Sequence, residues 1–520
     1  MMPPARATLL AVCCLCAGIF GCSETSEGGQ APSINVGRSD GGAAMATSGS
    51  AGVAAGNGVV SSGGSWEQAG QANGGSGGVA GSAASAGSGG ASGAAAAGGQ
   101  TVGGGSDGAA SGALRHPGML NSLAELQAIK QHLAKAEQPW TTELAHLKAL
   151  VATRTLHVPP SDRKIFCGGY NLDENGNKIL ECDYAVENGI DAYSLALLGY
   201  LTESKSDSDE AIRFIRAWAD NFQGFDPIPR AGAKGNNALL QAGWTAPWFA
   251  NAAEILRYTY AGWNADLTRR ETAFLNLLLP QVSDETQANP ANWLHSRIEA
   301  HVAIAIFLDD PAMLKRATQQ WRDNTPSYFY IASDGALPPK PHRSITDAAL
   351  STLWDTPQYV PGMTMETCRD LGHQGLGVRS IFNTLAMAHV QGLDLLSDND
   401  IRERLRTFLE EQAKWMLTKK DPEGACNEPI IVQVSPVETY MDSAQPVPYE
   451  YGCSLLGAPL LPTASAAIAA RPSTGAARWV TKWETLTRHF DPASLTRSSS
   501  GAARLRTGSS GMLLSRRSAP

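Results

Sequence analysis

Residues 207–222, DSDEAIRFIRAWADNF, decide the fold. Ile212, Ile215 and Trp218 recur at the spacing that puts them on one face of a helix, the pattern of an amphipathic helix packing on a core. Upstream, Leu123, Leu126, Ile129 and Leu133 do the same. Helical segments are expected at 185–203, 207–222, 237–260, 268–280, 291–308, 311–323, 373–391 and 399–418, broken by punctuation such as Asp226-Pro227-Ile228-Pro229 and Asp334-Gly335. Strand signals are few. An all-α unit of about 375 residues outgrows one bundle core, so paired helical hairpins arranged around a ring, an α/α toroid, are expected.

The folded part occupies only some of the 520 residues, because the 54 glycines concentrate in the first fifth of the chain. Residues 1–21 carry Arg6 and then an apolar run from Thr8 to Phe20, the pattern of a secretory signal. Gly21 before Cys22 matches a bacterial lipoprotein signal, in which Cys22 would be lipidated and anchor the chain to the outer membrane. An ordinary signal peptide cleaved nearby is the alternative, and both place the protein outside the cytoplasm. Residues 22–112, nearly all Gly, Ala and Ser, are expected to form a disordered tether, with a reach of about 50 Å. The catalytic domain is expected at 113–495 and a Ser/Arg/Gly-rich disordered tail at 496–520.

With 41 Lys and Arg against 49 Asp and Glu, the formal charge of −8 argues against nucleic acid as a partner. An anionic polymer needs only a local cluster of cations. Beyond Cys22 the chain has Cys167, Cys182, Cys368, Cys426 and Cys453. For an oxidising compartment we pair Cys167 with Cys182 and Cys426 with Cys453, leaving Cys368 free; sequence alone does not fix the connectivity. No metal motif is visible, so a mechanism without metal or cofactor is expected. Oligomeric state is unreadable.

Several segments, in order, resemble the alginate-lyase family of helical-toroid enzymes. They are His116-Pro117-Gly118-Met119-Leu120; Asp191-Ala192-Tyr193 with Ala217-Trp218; Asn237 to Arg257; Asn292-Trp293-Leu294-His295 running to Asp310; and Glu366-Thr367-Cys368-Arg369-Asp370-Leu371-Gly372-His373, ending at Gln391-Gly392-Leu393-Asp394-Leu395. The resemblance implies a polysaccharide lyase that cleaves a uronic-acid polymer, alginate or a relative such as glucuronan, by β-elimination.

Glu366, Arg369, Asp370 and His373 have the spacing of one helix face, where a solvated salt-bridged stripe is the plain alternative. Asn292 and His295 lie one turn apart; Asn292 can equally serve as an N-cap. Elimination requires the uronate carboxylate to be neutralised before a base removes the hydrogen on the adjacent carbon. A bidentate guanidinium and an amide donor suit that task, which we assign to Arg369 and Asn292, and His373 and His295 are the candidate bases. Related lyases carry a tyrosine one turn beyond the arginine, where this chain has His373, so Tyr451, with Tyr449 beside it, is the candidate acid. Asn237, Trp244, Trp293, Glu366, Asp370 and Tyr449 are candidate substrate contacts, although Trp244, Trp248 and Trp293 also suit a core. A glycoside hydrolase on the same fold, drawing its carboxylates from Glu366, Asp370 and Asp191, and a non-catalytic surface lipoprotein that binds exopolysaccharide are the competing readings.

Overall fold

In a computed structural model the described residues are 113–138, 140–284, 290–341, 346–369, 371–418, 422 and 424–427. The expected signal, tether and tail, with Cys22, Tyr449, Tyr451 and Cys453, lie outside them, as does Asp370. The described residues fold into α-helices α1 (Leu123–Ala134), α2 (Trp140–Ala152), α3 (Leu180–Thr202), α4 (Lys205–Asn221), α5 (Ala238–Thr259), α6 (Ala265–Ser283), α7 (Asn292–Phe307), α8 (Pro311–Tyr328), α9 (Asp347–Trp354), α10 (Leu371–Val390) and α11 (Asn399–Thr418).

Two kinds of helix alternate. Helices α4, α6 and α8 bury one stripe: in α4 it is Ala211, Phe214, Ile215 and Trp218, each large side chain worth roughly 1.5–3 kcal/mol of burial. The helices between them, α3, α5 and α7, are buried around almost their whole circumference. Each outer helix pairs with the inner helix before it, and the inner helices pack in series, α3 on α5, α5 on α7 and α7 on α10. That order of paired hairpins is an incomplete α/α toroid.

The inner helices run parallel. Near their N-terminal ends Gly243 of α5 meets the backbone of Ser296 and Arg297, and Gly377 of α10 faces Asn292 of α7; at the other end Arg257 donates to the Phe307 carbonyl at 3.0 Å. Consequently the N-termini of α3, α5, α7 and α10 all emerge on one face. Small residues make this possible, because a Cβ at Gly243 would stand 3.0 Å from the Ser296 carbonyl carbon. Among the described residues no helix is long and apolar enough to cross a membrane.

Several expectations are corrected. Helices α2 and α9 were not anticipated, and α8 continues through Pro326 to Tyr328 rather than stopping at 323. Glu366 and Arg369 lie in a turn before α10, not on its face. Threonine hydroxyls explain that turn: Thr367 Oγ1 accepts from the Thr364 amide at 2.7 Å and Thr364 Oγ1 from the Glu366 amide at 3.3 Å, competing with helical pairing. The disulfide Cys167–Cys182 forms as expected, but Cys368 is bonded to Cys426. Nearness in sequence suggested Cys453; the fold instead lays the turn at 424–427 against the 362–369 turn, where Thr356 Oγ1 also donates to the Ala425 carbonyl.

One buried group is at odds with its surroundings. Glu271 of α6 is fully buried and neither carboxylate oxygen has a hydrogen-bond partner among the described residues; burial pushes its pKa from 4.5 up to about 8. The folded state therefore keeps a proton that the unfolded state releases between these values, and stability falls as pH rises through that window. At ~1.4 kcal/mol per unit the effect reaches several kcal/mol. Denaturant titration of Glu271→Gln should show a variant more stable than wild type by on the order of 2–4 kcal/mol at pH 9 and by much less at pH 5. Equal differences at both would refute a neutral buried carboxyl.

Candidate active site

The face where the inner helices begin holds a polar cluster centred on Glu366. A short ladder delivers this residue. Phe329 and Thr364 form an antiparallel bridge, the Tyr330 amide donates to the Met363 carbonyl at 3.0 Å, and the Met365 amide to the Tyr328 carbonyl at 3.0 Å. Behind the ladder Arg404 binds Asp334 in bidentate fashion, at 2.5 and 2.7 Å, and donates to the Phe329 carbonyl at 2.9 Å. Thr367 donates to Gln374 Oε1 at 2.7 Å, and Gln374 in turn donates to Gln412 at 3.2 Å, tying the turn to α10 and α11.

Glu366 then collects donors from three elements. The Asn292 amide N–H reaches Oε2 at 3.0 Å and its side-chain Nδ2 reaches Oε1 at 2.9 Å; the Tyr328 hydroxyl donates to Oε2 at 3.0 Å; Arg369 Nη1 lies 3.3 Å from Oε1. The carboxylate thus caps α7, whose first-turn amides have no partner within the helix. Asn292 is not the N-cap; that position is Ala291, held at φ 61° and ψ −137°, a conformation that costs a non-glycine residue about 1–3 kcal/mol. Burial pushes the Glu366 carboxyl up, while Arg369, His373 and the hydrogen bonds from Tyr328 and Asn292 pull it down. His373, in the first turn of α10, is therefore part of the cluster.

His295 is buried, its ring edge-on to Tyr328 at 5.0 Å, and its Nδ1 has no hydrogen-bond partner among the described residues. Burial lowers its pKa to about 3, so the imidazole stays neutral. A ring with so little affinity for a proton is a poor base. Trp244 is half-buried and donates to Ser296 Oγ at 3.1 Å, which lies 3.3 Å from Ser380 Oγ, so a polar thread crosses α5, α7 and α10. Trp293 is half-buried, whereas Trp248 lies in the core. Asn237 stands at the start of α5, outside this cluster.

Asn292, His295, Glu366, Arg369 and His373, all singled out from sequence, thus meet at one place. Tyr328 was missed, although it is the tyrosine that the cluster holds. The signal was present in Asn324-Thr325-Pro326-Ser327-Tyr328, but Pro326 reads as a helix stop.

No family model matches the chain, and no curated protein matches it. Among solved structures it is similar to an alginate lyase from Bacteroides ovatus, at 10% identity over 72% of this chain and 100% of the other, with a TM-score of 0.48. It is also similar to alginate lyase A1-III from Sphingomonas species A1, at 14% identity over 71% of this chain and 95% of the other, with a TM-score of 0.47. A variant of that enzyme complexed with a tetrasaccharide matches at 13% identity over 71% of this chain and 94% of the other, with a TM-score of 0.46.

Gly377 is where α10 yields to the cluster: a Cβ there would stand 2.2 Å from the Tyr328 hydroxyl and 3.3 Å from Asn292 Cα. Alanine in a helix interior normally stabilises by roughly 0.5–1 kcal/mol over glycine. Here Gly377→Ala should instead destabilise by about 1–3 kcal/mol in denaturant unfolding. A gain in stability would mean that Tyr328 is not packed against α10.

Proposed function

We propose that this protein is a polysaccharide lyase that cleaves a uronic-acid polymer by β-elimination. The observation that carries this reading is the buried Glu366 with its donors Asn292, Tyr328 and Arg369, set on the face where four parallel helices begin. Helix N-termini carry partial positive charge, and a face built from four of them favours an anion such as a uronate.

The roles follow from exposure. Asn292, Tyr328 and Glu366 are buried, whereas Arg369 is 31% exposed and His373 half-buried, so these last two are the members that can meet substrate. The Arg369 guanidinium receives the uronate carboxylate and stabilises the enediolate that forms when the neighbouring C–H is lost. His373 takes that proton and returns it to the departing glycosidic oxygen, which leaves with the electron pair of the C–O bond as the double bond forms. Glu366, held by Asn292 and Tyr328, fixes the guanidinium. His295 packs neutral against Tyr328. Export belongs to the same proposal: two disulfides suit an oxidising compartment, and lipidation at Cys22 would hold the enzyme at the membrane. Fatty-acid labelling of the expressed chain should be lost in Cys22→Ser; labelling that persists would remove the anchor from the proposal.

The full chain, incubated separately with alginate, polymannuronate, polyguluronate and glucuronan, should produce the ultraviolet absorbance of an unsaturated uronate with at least one of them. Arg369→Ala should lower the rate by about 10³-fold; His373→Ala by about 10²–10⁴-fold. Tyr328→Phe, which leaves Glu366 short of a buried donor, should cost about 1–3 kcal/mol of stability and a smaller part of the rate. New reducing ends without that absorbance would indicate a hydrolase instead, and polymer retained at unchanged length a binding protein.

A further inference from the structure

The segment before α3 spends conformational energy to hold one residue in solvent. In the 3₁₀ turn Gly169–Asn171, Tyr170 and Asn171 both have left-handed backbones, at φ 59° and 57°, and neither is glycine. Tyr170 is 71% exposed. Its hydroxyl makes no hydrogen bond to a described residue.

The surroundings fix this turn firmly. Asn171 is buried and donates to Asp183 at 2.8 Å while accepting from Gln241 Nε2 of α5 at 2.8 Å. The Cys167–Cys182 disulfide closes the loop onto α3. Gly169 presses against the Lys234 carbonyl, where a Cβ would come within 2.1 Å. Lys178 donates to the Tyr170 carbonyl at 3.2 Å. A loop with no task for its exposed ring would relax by taking glycine at position 170.

Its place in the fold says what the task is. The turn rests on the N-terminal end of α5, the same face that carries Glu366 and Arg369, and α3 is two helix spacings from α7, about 16–20 Å. Between them stands Asn237, the residue before α5, whose side chain caps nothing and bonds no described residue. Lys234 flanks the turn, whereas Lys178 is taken up by Asp183 at 3.1 Å. An exposed ring, an uncommitted amide and the cation of Lys234 match a sugar face, its hydroxyls and its carboxylate.

We propose that Tyr170 is a stacking platform for one uronate residue of the polymer, a subsite remote from the point of cleavage, with Asn237 beside it. The proposal rests on the reading of the protein as a uronate-polymer lyase and adds a length preference: the enzyme should grip oligomers long enough to span from Arg369 to Tyr170 better than shorter ones.

The test is calorimetric titration of uronate oligomers, from disaccharide to hexasaccharide, into the full chain carrying His373→Ala, with and without Tyr170→Ala. Affinity should step up roughly 10-fold at the length that reaches the turn, and the step should vanish in Tyr170→Ala and persist in Tyr170→Phe. Tyr170→Gly should lose the step without a fall in Tm, since it relieves the left-handed backbone. Identical length dependence with and without Tyr170→Ala, or no binding at all, overturns the subsite. Cleavage by the wild type is scored separately: a length step without cleavage would keep the subsite and sink the lyase reading, and cleavage with no Tyr170 effect would do the reverse.

Discussion

The carboxylate of Glu366 is buried with four donors around it, and the local structure is arranged to supply them. An isolated charge so placed would cost many kcal/mol; gathered donors offset that cost only while each stays in position. Its partners come from the start of α7, the end of α8 and the turn before α10, so one side chain joins three elements distant in sequence. The left-handed Ala291, the glycine at 377 and the threonine-braced turn are local features that this convergence requires. Removing the carboxylate would take one shared acceptor from an arginine, an amide and a phenol together, with losses that are not additive.

The toroid explains why the cluster sits where it does. Outer helices bury a single stripe and face water, so their sequence can vary on the other side; inner helices are buried all round and must be apolar or internally bonded. Wrapping the inner helices in parallel sends every N-terminus to one face. Their amides then form a field of donors that no single residue supplies, and an acidic protein of formal charge −8 can present a locally positive surface to a polyanion.

Much of this was legible in the residue pattern, because it depends on local periodicity. The stripe of Ile215 and Trp218 places α4 without knowledge of its neighbours. Asn292, His295, Glu366, Arg369 and His373 stood out by residue type, and the fold brings them together. What was not legible depends on tertiary context. Pro326 would end a helix in isolation, yet packing carries α8 two residues further and delivers Tyr328. Spacing put Glu366 and Arg369 on a helix, whereas threonine hydroxyls two and three residues apart bent that stretch into a turn. Pairing Cys426 with the next cysteine followed proximity along the chain, and the fold chose proximity in space. Tyr170 gave no signal, since a tyrosine in a polar loop is ordinary until its backbone angles are known.

The bond between Cys368 and Cys426, 58 positions apart, closes a covalent ring through α10 and α11, beginning one residue before Arg369. Exposed loops are where proteases cut. Within this ring a single cut, for example in the turn at Asp394 to Asp398, leaves both fragments joined through sulfur. The arginine and the two helices behind it then remain one piece of matter, able to close up again after a nick that would otherwise release α11 and the support its Gln412 gives to Gln374.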